Sequence, residues 1–367
     1  MSKLLSFFYF FYFAIVGVYI IFIPKVLSQV PYSPSEIGII LGAAPLVRFL
    51  LPFLFMRGFA LNTKTFRFAL LLMSLSAIAF YISLENFYAL LLSNIALGAG
   101  MSVILPYVEV ISLEHLGKER YGKIRLYGSV GFVLVALVLV RILSSASIAL
   151  DFLLSLTFIT ALFAFVIEAK SSTQQKQKPQ ESSNSPINLI KDYRLWLGLI
   201  FMQISFGAFY NFFTIYVTDN GISLDMTIYL WSFGVLLEIV MLYFQGSFLK
   251  RNLLSILQFT TLATVVRWLI LFAFPENITL LFFSQSLHAL SFALFHSAAI
   301  SYLFHLYSNR PLAQQYFSGF TYGLGGLSGA LISGYIYEWF ASYLFLSAAV
   351  FALISFLFIR GFSKQLT

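Results

Sequence analysis

The sequence predicts an all-α integral membrane protein: twelve transmembrane helices in two six-helix halves, with both termini cytoplasmic. Three observations predict it. The 367 residues are 60% hydrophobic and only 10% charged, with mean hydropathy +0.90, whereas a soluble domain carries about 25% charged residues. Apolar runs of about 20 residues, enough for a helix to cross the hydrocarbon, recur between short connections. One long polar stretch divides these runs evenly, giving a first half at 1–167, a linker at 168–192 and a second half at 193–367.

Taken in order, the first segment is 4–27, after Lys3. It exceeds a signal-peptide core of about 7–15 residues and has no small-x-small cleavage site after it, so it reads as a retained helix. Segment two, 36–56, carries Arg48 between Pro45 and Pro52. Pro52 denies the Arg48 carbonyl its helical partner, a break tolerated in membranes where polar groups or water compensate. Segments three to six are 67–84, 87–112, 126–145 and 149–167. The core of the linker, SSTQQKQKPQESSNSP, has the composition of a flexible connection. Segments seven to twelve are 193–217, 225–249, 254–274, 278–304, 317–338 and 342–360. Segment eleven concentrates Gly319, Gly323, Gly325, Gly326, Gly329 and Gly334. Its two G-x-x-x-G spacings read as close helix packing and conformational positions rather than ligand positions.

The charges orient the chain. With the N-terminus inside, all of the 22 basic residues except Lys25, Arg48, Arg141 and Arg267 fall on the cytoplasmic side, as the positive-inside rule requires. Glu36, Glu85, Asp151, Asp219, Asp225, Glu276 and Glu338 fall outside. The net charge of +8 therefore belongs to loops and not to a nucleic-acid surface. There is no cysteine, which excludes disulfides, thiolate metal sites and a cysteine nucleophile. Gly117–Lys123 fits the phosphate-loop pattern G-x-x-x-x-G-K. However, Ile124 stands where a magnesium-binding Ser or Thr belongs and no strand precedes it, so nucleotide binding is rejected.

The candidate site residues are those that lipid should exclude, since an ionisable group at mid-bilayer costs at least about 2.5 kcal/mol and marks a functional position. Trp231 to His296 holds Glu238 in segment eight, Arg267 in nine, and His288 and His296 in ten. At helical spacing, Glu238 shares a face with Trp231 and Gly234, while Gln285, His288, Phe292 and His296 share another. Imidazole changes charge near neutral pH, so a Glu–Arg–His cluster suits proton coupling. The competing reading is hydrogen bonding between helices. In the first half, Arg48 lies at the depth of Glu238 in the corresponding segment, Glu109 lies in segment four and Arg125 opens segment five. Each of these also admits a purely structural reading. Tyr9, Tyr12, Tyr210 and Asn211 are aromatic or polar candidates for a cavity wall.

The runs Tyr121–Phe132, Tyr229–Met241, Val265–Trp268 and Leu287–Ala299 resemble the phenylpropionate-permease-like branch of the major facilitator superfamily, near the lactose permease group. The resemblance covers most of the chain and implies two six-helix repeats working by alternating access. By position it implies that Glu109 and Arg125 contact solute and that Arg267 and His288 belong to a proton-coupling network. Two departures stand out. Ser291 occupies the place of that group's carboxylate beyond the histidine, and the helix-eight glutamate falls at Val235, with Glu238 one turn later. The usual Asp is also missing from Arg57–Asn62.

The expectation is a multi-pass permease of the inner membrane, a secondary active transporter moving a small organic solute, an aromatic acid or a sugar- or nucleoside-like compound, across the membrane by alternating access in symport with protons. Substrate contacts are expected at Arg48, Glu109 and Arg125, proton coupling at Glu238, Arg267 and His288, and cavity lining at Gln285, His296, Trp231 and Asn211. Expected partners are the solute, protons and membrane lipid around a monomer, with no nucleic acid, no cofactor and no metal beyond the proton gradient as energy source. A proton-driven exporter of drugs or metabolites shares the architecture. A polytopic enzyme or receptor has less support, because the sequence offers no metal-ligand spacing and no nucleophile–base pair.

Overall fold

The structure is a computed structural model describing residues 1–57, 61–142, 145–171, 187 and 189–366, without the side chains of 55, 56, 117–119, 122, 146 and 364–366. Among the described residues there are helices and no strands. The first six are α1 (Ser2–Ile21), α2 (Ile23–Ser28), α3 (Pro34–Met56), α4 (Thr63–Ile82), α5 (Phe87–Ile142) and α6 (Ala146–Ser171). The next four are α7 (Tyr193–Asp219), α8 (Leu224–Phe244), α9 (Leu253–Ala273) and α10 (Ile278–Ser286). The last four are α11 (Phe295–Leu306), α12 (Arg310–Tyr316), α13 (Gly326–Phe340) and α14 (Leu344–Leu366). π-helical turns at Ala289–Leu294 and Phe317–Gly325 join α10 to α11 and α12 to α13.

The ends follow local chemistry. Asn62, Ser223, Asn252, Asn277 and Asn309 each precede a helix and accept a bond from its first-turn backbone N–H groups. Pro24 restarts the helix after Phe22, so the first predicted segment is α1 followed by the short α2. After α7 the chain turns through Gly221 at φ +84°, a conformation that favours glycine.

Eleven stretches among the described residues are long and apolar enough to cross a membrane. The last, Arg310–Ser363, runs for 54 residues and contains both of the final predicted segments. The predicted boundary between them falls at a 3₁₀ turn, Ala341–Tyr343. Helix α5 also contains two predicted segments. Tyr121 Oη nevertheless lies 3.0 Å from Glu109 Oε1, where a straight helix would put those residues about 18 Å apart. The chain therefore doubles back between Phe87–Leu116 and Lys123–Ile142.

The chain forms two compact units, Met1–Pro179 and Gln180–Thr367. Most of the predicted linker, with the SSTQQKQKPQESSNSP core, lies outside the described residues, as do Gly58–Ala60 of the degraded loop motif. Two ends of that linker are structured instead. Helix α6 continues to Ser171, and Glu168 is wholly buried against Arg67 at 3.2 Å. Asp192 is buried as well and accepts a bond from Tyr307 Oη at 2.7 Å. Burial and this carboxylate push the Tyr307 hydroxyl well above its ordinary range.

In the first unit α1 is central. Its Leu5, Phe8, Tyr9 and Tyr12 pack on Phe66, Leu70 and Met73 of α4 and Ile104 and Val108 of α5. In the second unit α7 takes that place. A Cβ on Gly207 would run into the backbone of Gly329, so the small residues let α7 and α13 approach backbone to backbone. Phe68, Leu71, Leu75 and Ile78 of α4 stay exposed. A contiguous apolar face of that kind suits hydrocarbon rather than water.

Candidate functional site

Each unit assembles one charged cluster. In the first, Glu109 and Arg125 come together because α5 doubles back. Arg125 Nε donates to Glu109 Oε1 at 3.4 Å, and the two side chains retain 32% and 30% of their exposure. Tyr121 Oη donates to the same oxygen at 3.0 Å. The Arg125 guanidinium lies 4.0 Å over the ring of Phe13 and 5.5 Å from that of Tyr9, an arrangement in which the ring quadrupole attracts the cation. Tyr9 is itself fixed by a bond from Oη to Ser112 Oγ at 2.9 Å, and Tyr12 Oη donates to the Met101 carbonyl at 3.2 Å. Arg125 thus has its Nε and one face committed. Among the described residues its two Nη atoms have no hydrogen-bond partner. A guanidinium edge with two parallel N–H groups matches a carboxylate.

Arg48 is placed differently. It is exposed on α3, and within its own unit it makes no hydrogen bond or ion pair among the described residues. It stands in electrostatic range of the Tyr12 hydroxyl, so its link to the Glu109–Arg125 pair runs through α1.

The second cluster is closed. Arg267 of α9 is 0% exposed. Its Nη1 reaches His288 Nδ1 at 2.9 Å and Ser291 Oγ at 3.1 Å, and its Nη2 reaches Gln285 Oε1 at 3.1 Å. Phe209 and Trp268 lie 4.2 and 4.4 Å from the guanidinium carbon. His288 Nε2 lies 3.4 Å from Glu238 Oε2, and this carboxylate retains 17% exposure. The π-helical turn starting at Ala289 brings Gln285, His288 and Ser291 to bear on one guanidinium. Gly234 leaves room for the Gln285 side chain, since a Cβ there would lie 3.2 Å from Oε1.

The bonding pattern defines a tautomer. A guanidinium can only donate, so His288 Nδ1 accepts. The imidazole is then neutral and carries its proton on Nε2, facing Glu238. Glu238, His288 and Arg267 form a carboxylate–imidazole–guanidinium chain. Protonating His288 on Nδ1 requires Arg267 to let go, whereas protonating Glu238 removes the counter-charge of a buried cation one imidazole away.

The remaining expected residues line up around this chain. Trp231 is buried, its ring tilted 41° to that of Phe209 with centroids 4.3 Å apart, and donates from Nε1 to Thr214 Oγ1 at 3.0 Å. Gln285 is buried as the Arg267 acceptor, with Nε2 unpartnered among the described residues. His296 continues a ring column through Phe292 to His288 and bonds Tyr322 at 2.5 Å. Asn211 turns back onto its own helix, donating to the Gly207 carbonyl at 2.8 Å. Among the described residues no three His, Cys, Asp or Glu side chains gather in a way that could hold a metal ion.

Sequence reasoning did not identify Phe13, Phe209 and Trp268 as the arginine platforms, nor the Tyr121 bond to Glu109. Tyr121 lies within the run YGKIRLYGSVGF, but its target depends on the reversal in α5.

Apolar spans throughout, two helical units and buried charges within them define a multi-pass integral membrane transporter rather than an enzyme. The MFS_1 like family model matches residues 3–348, and the chain belongs to that family, within the major facilitator superfamily. It is 26% identical over 356 residues to the "Probable 3-phenylpropionic acid transporter" of Escherichia coli K12, covering 94% of this chain and 93% of that one. It is also 26% identical over 352 residues to the "Uncharacterized transporter YwbF" of Bacillus subtilis 168, covering 91% and 84%. Among solved structures, the nucleoside transporter NupG superposes with TM-score 0.83 at 16% identity over 99% of both chains. The transporter FucP in its outward conformation gives 0.61 at 14% identity over 98% of both. These structures share the fold, and the solute of this transporter is a small molecule.

Proposed function

We propose that this protein takes up a small aromatic carboxylate together with protons by alternating access, as a monomer in the inner membrane with both termini cytoplasmic. The observation that carries the reading is the Glu238–His288–Arg267 chain. A buried cation balanced by a carboxylate through one neutral imidazole gives a proton somewhere to bind, and its binding upsets the charge balance. Loss of one partner from a buried ion pair is strongly destabilising, by about 3–5 kcal/mol. Neutralising Glu238 therefore favours a rearrangement of α8, α9 and α10, which is what coupling requires. Ser291 fills the place of the expected carboxylate with a neutral acceptor for Arg267, which leaves the proton-carrying role to Glu238.

Substrate class rests on the first cluster. Arg125 is oriented by Glu109 and Phe13 and keeps its Nη edge for an anion, while Phe13, Tyr9 and Tyr121 supply aromatic surface. The relative named for 3-phenylpropionic acid supports the same class. Arg48 adds positive charge on the same unit.

Radiolabelled phenylpropionate in proteoliposomes tests this. Accumulation should follow an imposed pH gradient, acid on the side from which solute enters, and collapse with a protonophore. Net accumulation that persists without any ion gradient overturns proton coupling. Saturable uptake of sugars or nucleosides, with phenylpropionate inert, overturns the substrate class. Extrusion from loaded vesicles driven by acid on the outside, with solute moving against the proton flux, would make it an exporter.

A further inference from the structure

A groove stands at one end of the second unit, sharing no residue with either charged cluster. Helices α7 and α14 pack side by side. Ser355 Oγ donates to the Gly198 carbonyl at 2.7 Å, and a Cβ on Gly198 would meet Ile359 Cγ1 at 2.6 Å. Beside that contact lies the groove, of about 410 Å³, lined by Arg194, Ile354, Leu357, Phe358 and Gly361.

Arg194 crosses the mouth of the groove. Its Nη1 donates to the Gly361 carbonyl at 3.1 Å and its Nε to the Tyr193 hydroxyl at 3.1 Å. Its Nη2 has no partner, and neither Arg194 nor Arg360 has a carboxylate within ion-pair distance, among the described residues. Arg360 is exposed, with its guanidinium 5.9 Å over Phe356. Both arginines sit where apolar spans end, the α7 span beginning at Tyr193 and the last span ending at Ser363. An exposed Tyr beside them is the residue type that settles at headgroup depth.

We propose that this groove binds an anionic glycerophospholipid. The acyl chain lies along Ile354, Leu357 and Phe358, and the phosphate meets Arg194 Nη2. Apolar walls alone would accept any lipid. The uncompensated Arg194 guanidinium at the rim selects a headgroup of net negative charge, because a zwitterionic headgroup offers a phosphate but returns a cation to the same rim. Basic pockets between helices at a membrane face hold anionic headgroups for this reason.

Native mass spectrometry of the detergent-purified full chain, with phosphatidylglycerol and phosphatidylethanolamine of equal acyl length, tests the assignment. Wild type should retain phosphatidylglycerol preferentially. Arg194→Gln should lower that preference about fivefold, and Arg360→Gln, whose guanidinium lies over Phe356 outside the groove lining, should lower it less. The exposed Arg251, on the α8–α9 connection, is the control: Arg251→Gln should leave the preference unchanged. No preference in the wild type, an unchanged preference in the double variant, or an equal loss in Arg251→Gln would each overturn the site. If the double variant does not fold, Leu357→Trp decides. It fills the groove with both arginines intact, so reduced retention supports the site and unchanged retention overturns it.

Discussion

Arg125 and Arg267 are both laid against aromatic rings, yet one keeps 32% of its side-chain exposure and the other none. Arg125 is paired with a carboxylate directly, and its remaining N–H groups have no partner among the described residues. Arg267 spends its N–H groups on an imidazole, a hydroxyl and an amide, and reaches its carboxylate only through His288. A half-open arginine with spare donors can meet an anion from outside the chain, whereas a sealed arginine with neutral acceptors can respond only to charge within its own cluster, such as that of Glu238. On the proposed function, the same residue type would serve recognition in one unit and coupling in the other.

The comparison breaks first on stability. Arg267→Met leaves His288 Nδ1, Gln285 and Ser291 without their buried donor and Glu238 without its counter-charge, and should cost about 3–5 kcal/mol. Arg125→Met removes a half-exposed pair and should cost about 1 kcal/mol or less. Thermal melting of the two purified variants in one detergent reads the difference, and equal losses would mean that the first cluster is as structural as the second.

Coupling comes next. Glu238→Gln keeps a hydrogen-bond acceptor toward His288 Nε2 but cannot take up a proton. Gradient-driven accumulation should fall about 100-fold, within the range that a positioned proton-transfer group contributes, while solute exchange at equal concentrations survives. An intact Glu238→Gln carrier with the pH dependence of the wild type would remove the carboxylate from coupling.

How far these clusters were visible beforehand differs between them. Apolar runs and isolated charges are read from composition, because lipid demands both long hydrophobic spans and a reason for every exception. Glu238, Arg267 and His288 stood out on that ground. Ser291 stood out only as the place of a missing carboxylate; that its hydroxyl accepts from Arg267 follows from the packing of α9 against the π-helical turn at Ala289–Leu294. Phe13 and Phe209 were hidden for another reason. Among 43 Phe and 21 Tyr, nothing in the pattern separates a ring under a guanidinium from one facing lipid. Glu168 and Asp192 read as linker charges because their neighbours in sequence are polar, yet their partners, Arg67 and Tyr307, are more than 100 residues away.

Arg125→Lys sharpens the recognition half. Lysine keeps the charge but loses the planar edge that meets a carboxylate in two parallel bonds. The concentration for half-maximal exchange should rise about tenfold, in line with a charge-assisted bond, while accumulation relative to exchange stays as in wild type. A loss of that ratio instead would place Arg125 in coupling.

The smallest effect is expected at Phe13. Its ring holds the guanidinium face at 4.0 Å and contributes nothing to charge balance. Phe13→Leu preserves bulk beside Gly128, which packs against this ring, and removes the quadrupole. A cation–π contact at a partly exposed site is worth about 0.5–1 kcal/mol, so half-saturation for phenylpropionate should shift about two- to fivefold. Solute selectivity separates two causes of such a shift. If Phe13 only orients Arg125, an aliphatic carboxylate of similar length suffers equally. If the ring also touches the solute, the aromatic acid loses more than the aliphatic one, and the ratio of the two shifts measures that contact directly.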